Sequence, residues 1–499
     1  MKDDANRRVR AIWRIGTTAF LLTLTLGSAA QQGPLRGTLP APAASLAAAE
    51  PLAPPANAPT PAMAVGTTTA TATATATALE SSTKVSSPAA EPVPPVPPAM
   101  PLAEDFDVRR FEAMAQQLVA DQRVPGIAMA IVHNGQVLSA RGYGITDVQA
   151  AEPVDAHTVF RLASLSKGFA GTMAGLLVND GTLRWDSKLT QYLPSFRLRD
   201  PEAAGRITVA DLLSHRVGLT HHAYDRQIEA YVDYRTLTTK LADAPMACQP
   251  GTCYRYQNVA FSLIGDVVFA ATGDFYAQEV QRRLFKPLGM NDASLGLDGI
   301  TSSTSWARPH VRTRGGWVSV MPKSTYYELA PAAGVNASAS DMAQWLLAQT
   351  GYRADVVPAP LLATLHSPRV DTPGEIRGSS WRRDRLGAAG YGLGWRVYDY
   401  AGHDLVFHGG AVQGYRGLIA MMPERDLGIA VLWNGESSLP SGLLPTILDR
   451  AIGMPANQRW LDIDFDDPTL FVDADSPREP QPQKNKIGSN ATRATAAPN

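Results

Sequence analysis

The residues of this chain with the clearest chemical potential are Ser164 and Lys167, which form a Ser-x-x-Lys step at the start of an apolar, helix-like run. In a helix this spacing puts a hydroxyl and an ammonium group one turn apart on the same face. A serine hydroxyl is a weak nucleophile until a neighbouring group accepts its proton, and a lysine shielded from water can accept it. The step therefore predicts covalent acyl-transfer chemistry on Ser164.

Two later segments carry side chains of the kind that assist such a nucleophile. Tyr256-Gln257-Asn258 stands just before the apolar run 259–264, and His408-Gly409-Gly410-Ala411 stands at the end of a strand-like run. Each segment also has an ordinary structural interpretation. Asn258 would suit a helix N-cap, and the two glycines would suit a hairpin bend.

Short runs of alternating or apolar residues predict strands in two parts of the chain. Residues 127–132 and 137–140 flank Asn134-Gly135, a strong hairpin signal. Residues 404–407, 417–422 and 427–432 predict three more strands of an antiparallel meander. Because neither group is large enough to be stable alone, we expect them to form one sheet.

The stretch between the two strand groups has helical patterns separated by Gly- and Pro-rich loops. They are clearest at 209–213, 259–271 and 342–349. We therefore expect a largely helical subdomain packed beside the sheet, with the catalytic cleft between the two.

The ends of the chain do not have the composition of a packed core. Residues 1–30 combine an arginine-rich start, an apolar stretch and small residues, which predicts a secretory signal peptide, with an uncleaved membrane anchor as the alternative. Residues 31–102 are Pro-, Ala- and Thr-rich and predict a disordered segment that acts as a flexible tether or a wall-spanning linker. The acidic and polar residues 456–499 are expected to be mostly disordered, with docking of Trp460, Leu461 and Phe471 left open.

These boundaries leave residues 103–455 as the folded domain of an exported protein, periplasmic or extracellular, with cell-wall material as an expected partner. The net charge of −1 gives no broad basic field for nucleic acid. Apart from the N-terminal segment no run is long and apolar enough to cross a membrane, so membrane attachment is expected only if that segment stays uncleaved. A small molecule or a peptide is the expected substrate.

Two cysteines, Cys248 and Cys253, are the whole complement of the chain. After an export signal a short-loop disulfide is expected, and a metal-binding pair is the alternative, although no second Cys or His pair completes a zinc site. The run His221-His222-Ala223-Tyr224-Asp225 does not match a His-x-His-x-Asp ligand set either. We expect no metal and no cofactor.

The order Ser-x-x-Lys, Tyr-x-Asn, His-Gly-Gly resembles the serine β-lactamase and penicillin-binding-protein superfamily, in its branch of class C β-lactamases, D-alanyl-D-alanine carboxypeptidases and related esterases. The resemblance runs from about residue 106 to 452 and is strengthened by the segments 207–215, 250–252, 391–395 and 408–417. It implies an α+β sandwich in which an antiparallel sheet is flanked by helices, with a mainly helical subdomain beside it.

The resemblance also implies a role for each motif residue. Ser164 is the nucleophile, Lys167 shares or removes its proton, and Tyr256 relays protons to the leaving group. Which of Lys167 and Tyr256 is the base stays open, because coupled groups titrate as a unit. Asn258 would bind the substrate amide, and the backbone N–H groups of Ser164 and Ala411 would form the oxyanion hole.

His408, followed by Gly409 and Gly410, stands where many β-lactamases of the superfamily have the lysine of Lys-Thr-Gly, a motif this chain lacks. A histidine is charged only part of the time at neutral pH and would hold a substrate carboxylate less reliably than lysine. This departure disfavours an efficient β-lactamase, although Arg416 is a candidate for the missing charge. The sequence thus predicts an exported serine hydrolase acting on β-lactams, D-Ala-D-Ala-type peptides or esters. A non-turnover sensor or scaffold of the cell envelope is the alternative.

Overall fold

The computed structural model describes residues 99–455 and 458–467 of the chain. The predicted signal peptide, nearly all of the predicted linker and most of the predicted tail, including Phe471, lie outside the described residues.

Thirteen strands form three sheets in the described residues. They are β1 Gly126–His133, β2 Gln136–Gly144, β3 Phe160–Arg161, β4 Ser294–Leu295, β5 His310–Thr313, β6 Gly316–Ser319, β7 Val335–Ala337, β8 Val370–Asp371, β9 Leu386–Tyr391, β10 Arg396–Tyr400, β11 His403–Val412, β12 Tyr415–Met422 and β13 Leu427–Trp433. The largest sheet has the order β2-β1-β13-β12-β11-β10-β9-β8, and every neighbouring pair is antiparallel.

Sixteen α-helices accompany the sheets in the part of the chain that the structure describes. They are α1 Val108–Ala120, α2 Ser166–Asn179, α3 Leu189–Tyr192, α4 Pro201–Arg206, α5 Val209–Leu213, α6 Asp225–Glu229, α7 Tyr234–Lys240, α8 Asn258–Thr272, α9 Tyr276–Val280, α10 Lys286–Leu288, α11 Gly296–Thr301, α12 Ala330–Ala333, α13 Ala339–Gln349, α14 Ala359–Leu365, α15 Ser380–Arg385 and α16 Leu443–Ala451.

The large sheet is covered on both faces, because alternate residues of a strand point to opposite sides. Ile127 and Met129 of β1 belong to the core that also contains residues of α1 and α16. Ala128 and Ala130 belong to a second, larger core that contains α2, α8 and α13. The helical excursion between β2 and β8 is thus packed against one face of the sheet.

The predicted α+β fold is confirmed. The expected first hairpin is β1 and β2, the expected meander is β11, β12 and β13, and β1 pairs with β13 to join them in one sheet. The three predicted helices correspond to α5, α8 and α13. One detail was wrong: Gln257 occupies the N-cap position of α8, and Asn258 is the first helical residue, which frees its side chain for other contacts.

Residues beyond the predicted domain end at 455 pack on the core. Leu461, Ile463 and Phe465 are buried in the core of α1 and α16, and the indole N–H of Trp460 donates to Asp449 Oδ2 at 2.7 Å. The packed chain therefore extends beyond residue 455, and the docking of Trp460 and Leu461 that the sequence left open is observed.

Among the described residues, no single helix is long and apolar enough to cross a membrane. The helices Asn258–Thr272 and Tyr276–Leu288 meet the length and composition test only as a pair, and they are bent by 82° at their junction.

Candidate active site

Ser164 lies in a single 3₁₀ turn, Ala163–Leu165, that leads directly into α2. The preceding residue Ala163 has a φ of 50°, a left-handed conformation that is strained for a residue with a Cβ. Lys167, in the first turn of α2, has no exposed surface, whereas Ser164 is partly exposed. The turn therefore presents the hydroxyl to solvent and buries the amine beneath it.

The segment between β9 and β10 holds α2 in place through close backbone approaches. A Cβ at Gly171 of α2 would lie 2.1 Å from the carbonyl oxygen of Leu393. Gly394 has a φ of 87°, and a Cβ there would lie 2.3 Å from the carbonyl oxygen of Lys167. Only glycines permit this packing, which fixes the backbone that carries Lys167.

The structure brings the three predicted catalytic residues together. The hydroxyl of Tyr256 donates to Ser164 Oγ at 2.9 Å, and Lys167 Nζ lies 3.3 Å from the same oxygen. Tyr256 lies in the loop just before α8, 92 residues along the chain from Ser164. Ser164 Oγ is therefore within hydrogen-bond reach of two groups that exchange protons.

Burial favours the neutral form of Lys167. Its pKa is lowered well below the usual value by removal from water, while Asp225 opposes this shift and Arg396 adds to it. Nζ also contacts Asn258 Oδ1 at 2.8 Å and the carbonyl oxygen of Ala332 at 3.0 Å. A neutral amine can donate two hydrogens to these acceptors and point its lone pair at Ser164.

Tyr256 is shifted in the opposite direction. Burial raises the pKa of its phenol, and the nearby guanidinium of Arg396 offsets part of that rise. The guanidinium carbon of Arg396 lies 5.6 Å from the centre of the Tyr256 ring. Tyr256 is therefore a protonated donor in the resting site, with a cation positioned to stabilise its phenolate.

Asn258 is oriented by two partners that require opposite ends of its amide. Its Oδ1 accepts from Lys167 Nζ, and its Nδ2 donates to Asp225 Oδ2 at 2.8 Å. The same carboxylate oxygen lies 2.6 Å from His222 Nδ1. Asp225 thus fixes which way the amide points, a constraint that the sequence did not reveal.

His408 is not placed where a substrate carboxylate could reach it. Its side chain has no exposed surface, its Nε2 lies 3.2 Å from the hydroxyl of Tyr391, and its Nδ1 lies 2.8 Å from the carbonyl oxygen of Gly409. Burial, reinforced by the nearby guanidinium of Arg396, lowers its pKa well below the usual value. The expectation that His408 holds a substrate anion therefore does not fit this geometry.

The strand that follows His408 passes very close to the nucleophile turn. A Cβ at Gly410 would lie 2.4 Å from the carbonyl oxygen of Leu162 and 3.2 Å from the backbone nitrogen of Ser164. Gly410 is therefore required for the approach, whereas a Cβ at Gly409 would meet only ordinary contacts of 3.5 Å or more. Ala411, the next residue, lines the cavity that contains Ser164.

The cavity at Ser164 has a volume of about 380 Å³ and opens between the sheet and the helical region. Its walls include the predicted Tyr256, Asn258, Gly409 and Ala411. Lys167, His408 and Gly410 do not line it, which agrees with their burial behind the surface.

The two cysteines flank a short loop that borders this region. Cys248 and Cys253 are joined by a disulfide, with their Cα atoms 6.3 Å apart. The loop leads through Tyr254 and Arg255 to Tyr256, so the crosslink restrains the chain that delivers Tyr256.

Comparison with known proteins agrees with this geometry. A family model described as Beta-lactamase matches residues 111–453. This chain belongs to the beta-lactamase family. Serine β-lactamases and penicillin-binding proteins share the superfamily, so the resemblance drawn from the three motifs is confirmed.

Relatives of this beta-lactamase-family chain have several different names. An unguisins hydrolase of Aspergillus violaceofuscus is 25% identical to this chain, and the match covers 72% of this chain. It covers 66% of the hydrolase, which is just under two thirds of its length. Penicillin-binding protein 4 of Amycolatopsis lactamdurans is 26% identical over 72% of this chain and 96% of its own length. The octameric penicillin-binding protein homologue from Pyrococcus abyssi superposes with a TM-score of 0.63 at 24% identity, covering 71% and 79% of the two chains.

Sequence reasoning assigned no role in this beta-lactamase-family site to three charged residues. Arg396, Glu375 and Asp225 all line the cavity. Arg396 follows Trp395 of the Tyr391–Trp395 segment, so its position beside a recognised motif was the available signal. Arg416, the candidate cation from the sequence, instead donates from Nε to the carbonyl oxygen of Glu436 at 2.9 Å and does not line the cavity.

Proposed function

We propose that this chain is an exported serine hydrolase that cleaves amide or ester bonds through an acyl-enzyme on Ser164. One observation carries the proposal. Ser164 Oγ stands at the cavity with the Tyr256 hydroxyl 2.9 Å away and Lys167 Nζ 3.3 Å away.

Acylation uses both neighbours. As Ser164 Oγ bonds to the substrate carbonyl carbon, its proton passes to the neutral amine of Lys167, and the carbonyl oxygen becomes an oxyanion. When the intermediate collapses, the bond to the leaving nitrogen or oxygen breaks and Tyr256 gives that atom its proton. The ammonium of Lys167 and the guanidinium of Arg396 then stabilise the phenolate.

Hydrolysis of the acyl-enzyme runs through the same groups in reverse. A water molecule attacks the ester carbonyl and gives a proton to the Tyr256 phenolate, and Ser164 Oγ leaves with the proton of Lys167. Every group regains its starting protonation state, so the cycle consumes only water and the substrate.

The oxyanion is held by backbone donors. The N–H groups of Ser164 and Ala411 are the candidates, because Gly410 brings β11 against the nucleophile turn. Removing one such donor typically costs about 3 kcal/mol of barrier. The side chain of Ala411 plays no part in this role.

Among the substrates, we favour simple esters, and peptide bonds with no free carboxylate beside them, over penicillins. A penicillin needs a cation for its carboxylate, and His408 is buried and neutral while Arg396 is paired with Glu375.

Export is proposed on the composition of residues 1–30 and on the disulfide. A Cys248–Cys253 crosslink persists in an oxidising compartment such as the periplasm or the exterior. The Pro-, Ala- and Thr-rich stretch would then separate the hydrolase from its point of export, within reach of cell-wall material.

Steady-state turnover of three substrates tests the proposal: para-nitrophenyl acetate, benzylpenicillin and a peptide ending in D-Ala-D-Ala. We expect measurable release from the ester or the peptide by the parent chain and none by Ser164→Ala. Ser302→Ala, which removes an exposed hydroxyl at the end of α11, should retain parental rates. Turnover that survives in Ser164→Ala would refute the proposal, and a stable adduct without turnover would favour the sensor alternative.

A further inference from the structure

A second cavity lies next to the one that contains Ser164. Its volume is about 810 Å³, twice that of the catalytic cavity. Residues 252–255 form one side, and residues 370–375 form the other. His221 and Glu375 line both cavities, so these two side chains stand where the cavities meet.

Glu375 is a fixed part of this junction. Its carboxylate pairs with Arg396 and Arg382 and accepts from the hydroxyl of Tyr398 at 3.3 Å. Burial raises the pKa of Glu375, but the two guanidinium groups outweigh that effect and hold the pKa below its usual value. The Glu375 carboxylate is therefore held in one position at the junction, and its ionised form is favoured.

His221 offers a hydrogen-bond donor at the same place. Its Nδ1 accepts the backbone N–H of Tyr256 at 3.1 Å, so in the neutral ring the proton is on Nε2. This Nε2 has no hydrogen-bond partner within residues 99–455 and 458–467. A substrate carbonyl passing from one cavity to the other could accept that proton.

The walls of the second cavity mix donors and acceptors. Arg255 and Asp371 are exposed residues on its two sides. Thr252 adds an exposed hydroxyl, which donates to the carbonyl oxygen of Gln249 at 2.7 Å and keeps its oxygen as an acceptor. Such a lining suits a chain of peptide groups, in which N–H and C=O alternate, better than an acyl chain.

The wall formed by residues 252–255 is stiff. The Cys248–Cys253 disulfide closes its loop, and Arg216 Nε donates to the carbonyl oxygen of Gly251 at 3.0 Å. A preformed surface costs less ordering entropy when a ligand binds.

We propose that the second cavity binds the distal part of an elongated, peptide-like substrate whose scissile bond lies at Ser164. The substrate passes between the cavities beside His221 and Glu375. The inference rests on the proposed acyl transfer and adds the substrate class, a chain of several peptide units. A compact bicyclic lactam would fill only the smaller cavity.

Two substrate series test the inference on the oxidised full-length chain. One lengthens the acyl group of a para-nitrophenyl ester from acetyl to acetylated mono-, di- and tetrapeptides of D- or L-alanine. The other lengthens the leaving peptide of an acetyl-alanyl amide, with products measured by mass. In at least one series we expect kcat/KM to rise with length by about tenfold or more, corresponding to about 1.4 kcal/mol.

Bulky replacements in the second cavity then test whether that cavity causes the rise of kcat/KM with substrate length. A Cβ at Gly374 would meet no atom within 4 Å, and the same is true of a Cβ at Gly205 on α4, which is outside both cavities. We expect Gly374→Trp to lower the ratio of long-substrate to short-substrate kcat/KM by about tenfold, and Gly205→Trp to keep it within about twofold. Thr252→Trp, on the opposite wall, should lower the ratio as Gly374→Trp does.

The outcomes separate this inference from the proposed function. If the short ester is not hydrolysed in a Ser164-dependent way, the proposed function fails and the inference fails with it. If the short ester is hydrolysed but neither series gains with length, only the inference is overturned. A gain with length that survives both tryptophan replacements overturns it as well.

Discussion

The hydroxyl of Tyr391 lies 3.2 Å from Nε2 of His408 and 3.2 Å from Nε2 of His215. His215 Nδ1 accepts the backbone N–H of Gln257, so its Nε2 carries a proton and donates to Tyr391. Tyr391 then donates to His408, whose Nδ1 donates to the carbonyl oxygen of Gly409. Only one arrangement of protons satisfies all of these hydrogen bonds, and it requires both histidines to be neutral.

Replacing Tyr391 with phenylalanine should loosen the strand that carries Ala411. We expect Tyr391→Phe to lower the free energy of unfolding by about 1–3 kcal/mol, because both buried imidazoles lose a partner. As Tyr391 acts through His408 and Gly409, kcat should fall while KM changes little. The matched control is Tyr254→Phe, which removes a buried hydroxyl with no partner among the described residues. If kcat falls as much in Tyr254→Phe as in Tyr391→Phe, the positioning role of Tyr391 is contradicted.

Acid should unfold the protein through the same histidines. Burial lowers the pKa of His215 and of His408 well below 6.5, the value expected in the unfolded chain. Above pH 6.5 both histidines are neutral in the folded and the unfolded chain, so they do not reduce stability there. Just below pH 6.5 they bind protons only in the unfolded chain, so stability falls as the pH falls. Each histidine should then lower the free energy of unfolding by up to about 1.4 kcal/mol per pH unit.

Urea unfolding between pH 5 and pH 8 checks this prediction. His408→Gln should make the acid loss of stability shallower. His157→Gln should make it steeper, because a hydrogen bond to Asp292 raises the pKa of His157 and stabilises the fold below pH 6.5. Equal slopes in the parent chain and His408→Gln would show that His408 is not buried as a neutral ring.

Arg396 and Arg382 both pair with Glu375, but only one of them faces the catalytic phenol. The guanidinium carbon of Arg396 lies 5.6 Å from the ring centre of Tyr256, whereas that of Arg382 lies 5.4 Å from the ring centre of Phe407. We expect Arg396→Met to lower kcat by about tenfold, the effect of one pKa unit on Tyr256. Arg382→Met should lower stability to a similar degree with a smaller effect on kcat, and equal losses of kcat would contradict the assignment.

The disulfide should contribute to stability as well as to shape. Closing the loop between Cys248 and Cys253 restricts the unfolded chain, and a loop this short is worth about 2 kcal/mol. Replacing both cysteines with serine should therefore lower the melting temperature, and adding reductant to the parent chain should lower it by a similar amount. A melting temperature unaffected by either change would show that the crosslink does not restrain the unfolded state.

The sequence predicted those parts of the fold and site that depend on local patterns. Ser164 and Lys167 are one turn apart, and the Asn134-Gly135 turn sets the first hairpin, so spacing alone placed them. The buried, neutral state of His408 depends on a hydrogen bond with the hydroxyl of Tyr391, which lies on a strand two positions away in the sheet. Such a contact is set by packing and is invisible in a one-dimensional pattern.

Arg396 escaped prediction for a related reason. Its neighbours on β9 and β11 are Tyr391 and Phe407, and this register turns its side chain toward Tyr256. Arg416 looked equally suitable in the sequence, but its Nε hydrogen-bonds to the backbone at Glu436 instead. The strand register determines which arginine lies at the site, and the register is known only from the structure.

The measurement that tests the central claim most directly is the time-resolved intact mass of the oxidised chain during incubation with para-nitrophenyl acetate and, separately, with benzylpenicillin. We predict an acyl adduct that maps to the peptide containing Ser164, is absent in Ser164→Ala, and decays as acetate is released from the ester. Adducts that form equally in Ser164→Ala, or turnover by the parent chain with an adduct mapped to another residue, would contradict the account.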